Sequence, residues 1–134
     1  MAEKIPDGFD DRSVGDLAAK AGVEILELSV ERTVGRIPVA AVTQPFGQVH
    51  GGAYVVLGES LVSMAVKLAA GEGRHAVAIE INASHSSSAT TGFVTGVCTP
   101  IHLGRTLTTH EVAVTDERGR HCSTIRITNL IRES

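Results

Sequence analysis

Residues 53–70, AYVVLGESLVSMAVKLAA, constrain the fold more than any other part of the chain. Apolar side chains at 53, 56, 57, 61, 64 and 68 recur at helical spacing, while Tyr54, Val55, Val62 and Val66 cover the opposite side. A helix that is apolar nearly all round must be enclosed, so the segment predicts a central helix. Its length raises a membrane question, but Glu59, Lys67 and two serines lie inside it and favour a buried helix of a soluble protein.

The flanking sequence supplies the enclosure. Segments 23–30 and 34–42 are rich in β-branched and aliphatic residues around the polar Glu31-Arg32-Thr33 and read as a hairpin. After the break at Gly71-Glu72-Gly73, strands are expected at 75–85, 92–99, 105–115 and 120–131. Their separators are Thr91-Gly92, Pro100 with Gly104, and Asp116-Glu117-Arg118-Gly119, a type I turn with Gly at the left-handed position. Such short connections predict antiparallel pairing of consecutive strands. In the first of these strands, alternation places Val77, Ile79, Ile81, Ala83 and His85 on one face. Before the hairpin, a short helix over 14–21 is expected, with Ser13 as its N-cap and Gly22 as its left-handed stop. Ile5 and Phe9 are candidate anchors of an irregular lead-in.

A length of 134 residues suits one domain, 1–134. The fold class is α+β, a curved antiparallel sheet of about six strands wrapped around one long central helix. That arrangement leaves sheet edges and a half-covered helix, which pairing of two subunits would hide, so a homo-oligomer is expected.

Composition excludes several function classes. The net charge is −3 with Lys and Arg scattered, and only three Phe and one Tyr are present without Trp. Neither a basic stripe for phosphates nor a set of stacking platforms for bases exists, so no nucleic acid partner is expected. No membrane partner is expected either. The N-terminus lacks the pattern of a secretory signal, which points to a cytoplasmic, reducing setting and makes Cys98 and Cys122 core thiols. Six histidines invite a metal reading, but no HExxH, CxxC or tight ligand pair occurs, and no metal or other cofactor is expected. Dinucleotide, Walker and GxSxG motifs are also missing.

Glu59 most needs explaining, because an unpaired carboxylate buried among Val55, Val56, Leu57, Leu61 and Val62 would cost several kcal/mol. It is either a functional group or a seam residue bridged to an arginine. Ser63, one turn on, shares its face. At the helix entrance His50-Gly51-Gly52 places unpaired backbone N–H groups and the positive end of the helix dipole beside residues without side-chain bulk, an arrangement suited to an oxyanion or phosphate. Gln44 and His50 add donors in the same loop, and Arg105 could meet an anionic ligand at a strand end. Glu59 and Gly51 lie about 12 Å apart along one helix, at 1.5 Å per residue. One chain cannot easily focus both on a single small carbonyl, whereas two antiparallel helices of a dimer can.

The stretch QPFGQVHGGAYVVLGES, followed in order by AIEINASH, GVCTPIHLGR and DERGRHCS, resembles the hotdog-fold acyl-CoA thioesterases of the phenylacetate-pathway and 4-hydroxybenzoyl-CoA thioesterase types. Within that family it is most similar to the 1,4-dihydroxy-2-naphthoyl-CoA thioesterases of menaquinone biosynthesis. The likeness spans about 23–130. It implies a hotdog fold, a homotetramer built from dimers, and hydrolysis of an aromatic acyl-CoA such as 1,4-dihydroxy-2-naphthoyl-CoA or hydroxybenzoyl-CoA without a metal. By motif position, Glu59 is the nucleophile or general base and Ser63 helps orient water or substrate. Gly51 donates its N–H to the thioester carbonyl from the partner subunit, with Gln44 and His50 near the carbonyl and the leaving sulfur. The resemblance also places His85 in the acyl pocket, and Gly52, Arg105 and Ser86 complete the expected substrate contacts. Ser86-Ser87-Ser88 stand where the family carries an arginine, with Arg105 or Arg74 as its substitutes, and Tyr54 replaces a small or polar residue, so the acyl group stays open. A hotdog enoyl-CoA hydratase and a non-catalytic acyl-CoA-binding protein are the alternatives.

Overall fold

The computed structural model of the chain describes residues 5–9 and 14–134. Helix α1 (Gly15–Ala21) ends at Gly22 with φ 85°, and the Val23 N–H reaches back to the Ala18 carbonyl at 3.0 Å. Glycine suits this stop because only a residue without Cβ enters the left-handed region freely. The expected cap Ser13 lies outside the described residues.

Strands β1 (Glu24–Leu28) and β2 (Thr33–Pro38) form the expected hairpin, with a register shift between Ile25 and Glu27 that sets the two buried residues of β1, Ile25 and Leu28, three positions apart instead of two. β2 stops earlier than expected. Pro38 closes the strand, and residues Val39–Ala41 turn into one 3₁₀ turn. Helix α2 (Gly51–Ala70) starts two residues before the expected 53, so both glycines of His50-Gly51-Gly52 belong to its first turn.

Four long strands follow: β3 (Arg74–His85), β4 (Phe93–Leu103), β5 (Leu107–Thr115) and β6 (His121–Glu133). The sheet is antiparallel with order β1-β2-β4-β5-β6-β3. Consecutive pairing holds for β4-β5-β6 but fails for β3, which joins β6 at the edge. Residues 86–92 make this crossing feasible, since they reach at most about 24 Å extended while three strand spacings need about 14 Å. They pass beneath the entrance of α2, where the Val49 N–H bonds the buried Ala89 carbonyl at 3.1 Å. Pro100 also departs from expectation: β4 runs through it, and a register shift between Pro100 and His102 absorbs the missing donor.

The core lies between α2 and the concave face of the sheet. Leu57, Leu61 and Val66 are fully buried with Ile37, Val94, Val112, Ile125 and Ile127. Gly35 and Gly96 bring the sheet close to the helix: a methyl group at Gly35 would stand 2.6 Å from a Leu61 methyl, and one at Gly96 3.0 Å from the other. The α2 face bearing Gly52, Ser63 and Lys67 stays open, so the helix is half covered in one chain. By length and hydropathy α2 could cross a membrane, but it is the core helix of this fold.

In β3 a register shift between Ala78 and Glu80 splits the expected face. Ile81, Ala83 and His85 pair with the buried Ile127, Ile125 and Ser123 and point inward. Before the shift it is Ala76 and Ala78 that point inward, opposite Ile131 and Asn129, whereas Val77 is on the outer face.

Candidate active site

The loop before α2 is held by its own polar groups. Gln44 Oε1 accepts the N–H groups of Phe46 at 2.6 Å and Gln48 at 3.3 Å, and the Gln44 N–H donates to the Gln48 carbonyl. With the amide oxygen committed, the Gln44 NH2 is the end left to a ligand. Gly47 takes the left-handed turn position with φ 79°.

His50 is the N-cap of α2. Its Nδ1 accepts the Gly52 N–H at 2.9 Å, which leaves the proton on Nε2, facing outward. The His50 N–H donates to Val42 and the Ala53 N–H to His50. Gly51 N–H therefore stands as the donor at this entrance without an acceptor among the described residues, at the positive end of a 20-residue helix.

His85 is brought here by β3. Its Nδ1 lies 2.9 Å from Ser123 Oγ, its ring centroid is 5.0 Å from that of Tyr54, and a methyl group at position 51 would fall 2.9 Å from its Nε2. Gly51 thus serves two needs, a free N–H and room for the imidazole. Ser86 is placed beside His85, but its hydroxyl donates to the His121 carbonyl and its N–H to the Cys122 carbonyl, so it ties the end of β3 to β6.

Tyr54 is buried beneath this group. Burial, aided by the neighbouring Cys122 thiol, pushes its phenol up to about 12. The hydroxyl approaches Cys122 and the Ala89 backbone without a hydrogen bond of good geometry to either. Both cysteines are unbridged core residues, and burial raises the Cys98 thiol to about 12. Among the described residues no three His, Cys, Asp or Glu side chains gather as metal ligands would.

Glu59 and Ser63 occupy a different place. They line a groove of about 250 Å³ between α1 and α2, with Val14, Leu17, Val56 and Met64 as its aliphatic walls. Glu59 is half-buried and makes no ion pair or hydrogen bond among the described residues, which removes the arginine-bridged alternative within one chain. Ser63 joins this groove to a larger one of about 680 Å³ bordered by Lys67, Arg74 and His75.

Arg105 sits in neither group. It lies in the β4-β5 turn, where its carbonyl accepts the Arg74 guanidinium at 2.8 Å, next to the C-terminal end of α2. The α2 N-terminus is a helix length away, about 30 Å at 1.5 Å per residue. The structure therefore unites Gly51, Gly52, His50 and His85 with the nearby Gln44 loop, sets Glu59 and Ser63 apart on the open helix face, and leaves Arg105 at the far end.

Sequence reasoning missed Ser123 and the packing role of Tyr54. Ser123 carried a signal only in its place within DERGRHCS; its meaning depends on β3 pairing with β6. The model of the thioesterase superfamily matches residues 46–123, from the glycine-turn loop through Glu59 and His85 to Ser123.

The chain belongs to the thioesterase superfamily.

It is 42% identical over 120 residues to the proofreading thioesterase EntH of Cronobacter turicensis, covering 89% of this chain and 88% of that protein. A Pseudomonas aeruginosa thioesterase, solved as a variant with a glutamine replaced by alanine, superposes with a TM-score of 0.88 at 30% identity, covering 96% of this chain and 97% of that one. A Staphylococcus aureus protein, solved with a glutamate replaced by alanine, gives a TM-score of 0.82 at 27% identity, covering 89% and 100%. The same protein has been solved with a glutamine replaced by alanine. This thioesterase-superfamily chain has the hotdog fold, with α2 as the central helix, and is a thioester hydrolase.

Proposed function

We propose that this thioesterase hydrolyses an aromatic acyl-CoA, of the hydroxybenzoyl or 1,4-dihydroxy-2-naphthoyl kind, in a site shared by two copies of the chain. The observation that carries the shared site is the division along α2. Gly51 holds the free N–H at the helix entrance, and Glu59 presents an unpaired carboxylate about 12 Å further along. Two antiparallel α2 helices bring the Gly51 of one copy to the Glu59 of the other.

In that site the thioester oxygen accepts from Gly51 N–H, assisted by the positive helix end. Glu59 takes a proton from water as the water oxygen bonds to the carbonyl carbon, or itself attacks to give an anhydride that water then opens. The carbon–sulfur bond breaks, the thiolate takes up a proton, and free acid and CoA leave. His50 Nε2–H and the Gln44 NH2 are the donors at the carbonyl and the departing sulfur, and Ser63 orients the water. His85, Gly52 and Ser86 border the acyl end, and Arg105, with Arg74 beside it, meets the CoA phosphates from a further subunit of a dimer of dimers. No cofactor enters this scheme.

The aliphatic walls of the groove beside Glu59 support an apolar acyl group, and the choice of an aromatic one rests on the resemblance. In the Staphylococcus aureus relative the two substituted residues are separated by the same number of positions as Gln44 and Glu59, which supports their roles here. A second reading, clearance of wrongly formed thioesters from a carrier protein, is favoured by the likeness to a proofreading thioesterase.

The test is thiol release from benzoyl-, hydroxybenzoyl- and 1,4-dihydroxy-2-naphthoyl-CoA beside straight-chain thioesters of four to twelve carbons. An aromatic thioester ahead by two decades in kcat/KM supports a dedicated aromatic enzyme. Slow and uniform rates sink that assignment and favour the carrier-bound substrate. Glu59→Ala is expected to keep the fold and lose about two orders of magnitude or more in kcat. Normal turnover in that variant removes Glu59 from the mechanism.

A further inference from the structure

Ser123 is fully buried on β6 directly across from His85 on β3, and its hydroxyl contacts His85 Nδ1 at 2.9 Å. Among the described residues this hydroxyl has no other partner. A buried hydroxyl carries one hydrogen, and leaving it without an acceptor costs roughly 1–3 kcal/mol. The only acceptor offered among the described residues is Nδ1, so Ser123 donates and Nδ1 accepts. The imidazole proton then resides on Nε2.

Three contacts fix where that proton is. Ser123 holds one nitrogen, the Tyr54 ring packs against the imidazole with centroids 5.0 Å apart, and the Nε2 edge rests against Gly51, where a methyl group would come within 2.9 Å. His85 is solvent-exposed at the strand end, yet it is clamped on these sides. An exposed imidazole free to rotate would lose entropy on binding a ligand, whereas a clamped one presents its donor already oriented. Its free nitrogen lies against the residue whose backbone N–H is also free.

We propose that Ser123 is a positioning residue that fixes the tautomer and orientation of His85, so that His85 Nε2–H stands beside Gly51 N–H as a further donor to the thioester carbonyl oxygen. This deepens the reading of the α2 entrance as the carbonyl site and rests on it. His85 is then a catalytic residue, and Ser123 acts only through it. No proton is transferred; the donor offsets charge as the carbonyl oxygen becomes an oxyanion.

The first experiment is 15N NMR of the histidine rings in the unliganded wild-type protein at pH 8, with His85 assigned by its loss in His85→Ala. The expected result is a protonated Nε2 and an unprotonated Nδ1 at His85. A protonated Nδ1 overturns the proposal, and this arm needs no variant of Ser123 to fold. The second is a double-mutant cycle on kcat and KM with the best thioester of the panel. Ser123→Ala is expected to lower kcat on the order of tenfold with KM within about twofold, His85→Ala on the order of a hundredfold, and Ser123→Ala to change nothing further in the His85→Ala background. An equal loss in both backgrounds makes Ser123 merely structural and overturns the proposal, as does full activity of Ser123→Ala. A wild-type protein that carries the Nε2 proton but releases no thiol overturns the carbonyl-site reading itself. A protonated Nδ1 in an active enzyme overturns this inference alone.

Discussion

At the scale of single residues, the proposed chemistry rests on atoms left without partners among the described residues. Gly51 is the clearest case, since its neighbours' N–H groups are engaged and its own finds no acceptor among the described residues. Gly51→Ala keeps that N–H but places a methyl group 2.9 Å from His85 Nε2 and 3.1 Å from Cδ2, so the ring must move. A drop of about a hundredfold in kcat/KM is expected with the folded state retained, because displacing a reacting group by about 1 Å costs that much. Steady-state kinetics beside thermal melting check it, and unchanged kcat/KM would remove the His85–Gly51 contact from catalysis. His110 shows the opposite use of a polar group. It is buried on the inner face of β5 with neither ring nitrogen bonded among the described residues, and burial lowers its pKa. The folded state resists protonation there, while the unfolded chain takes up a proton as pH falls through about 6.5. Stability is therefore full above that pH and declines as the solution is acidified toward the folded pKa, by up to about 1.4 kcal/mol per pH unit. Urea midpoints at pH 7.5 and 5.5 should fall less in His110→Leu than in the wild type; parallel falls would acquit His110. Glu59, Gly51 and His50 were legible as candidates because their types conflict with their local setting. His110 was not, since a histidine in an alternating strand gives no sign of which face it takes.

Elements were legible where a local rule sufficed. The α1 stop at Gly22, the β1-β2 hairpin, the 53–70 helix and the Asp116–Gly119 turn all follow from neighbours in sequence, and the last shows its Gly119 N–H bonded to the Asp116 carbonyl at 3.0 Å. Register shifts were not legible, because the extra residue in a bulge is accommodated by the partner strand. The shift after Ala78 exchanges the faces of β3, and it alone lets His85 point inward while Val77 points out. Packing of α2 on the sheet depends on residues with no side chain. Gly35→Ala would bring a methyl group to 2.6 Å from Leu61 Cδ2 and 3.0 Å from the Glu24 carbonyl. The side chain can swing away but the β1 backbone cannot, and a loss of about 1–3 kcal/mol in unfolding free energy is expected. A denaturant midpoint equal to that of the wild type would show that the β1-β2 hairpin shifts without cost.

At the scale of the whole molecule, one chain leaves apolar surface uncovered. β3 is an edge strand with Val77, Ile79 and Ile81 exposed, and the α2 face carrying Glu59 is open. An apolar edge of this length invites pairing with another strand. The proposed shared site predicts an oligomer that Ile79→Lys shifts toward monomer in light scattering, with thiol release falling alongside, because Glu59 and Gly51 would then lose their proposed partners. A monomeric variant with full activity would place the complete site in one chain. The sequence by itself determined the central helix, the β1-β2 hairpin and the tight turn, since each rests on periodicity or on residue types a few positions apart, and the ordered run of stretches from residue 44 to 123 carried the resemblance to thioesterases. Only the tertiary structure decided that β3 crosses to β6. That pairing sets His85 against Ser123, 38 positions away, and against the free N–H of Gly51. Strand order is chosen by the collective burial of α2 against the sheet, a long-range sum that local periodicity does not contain.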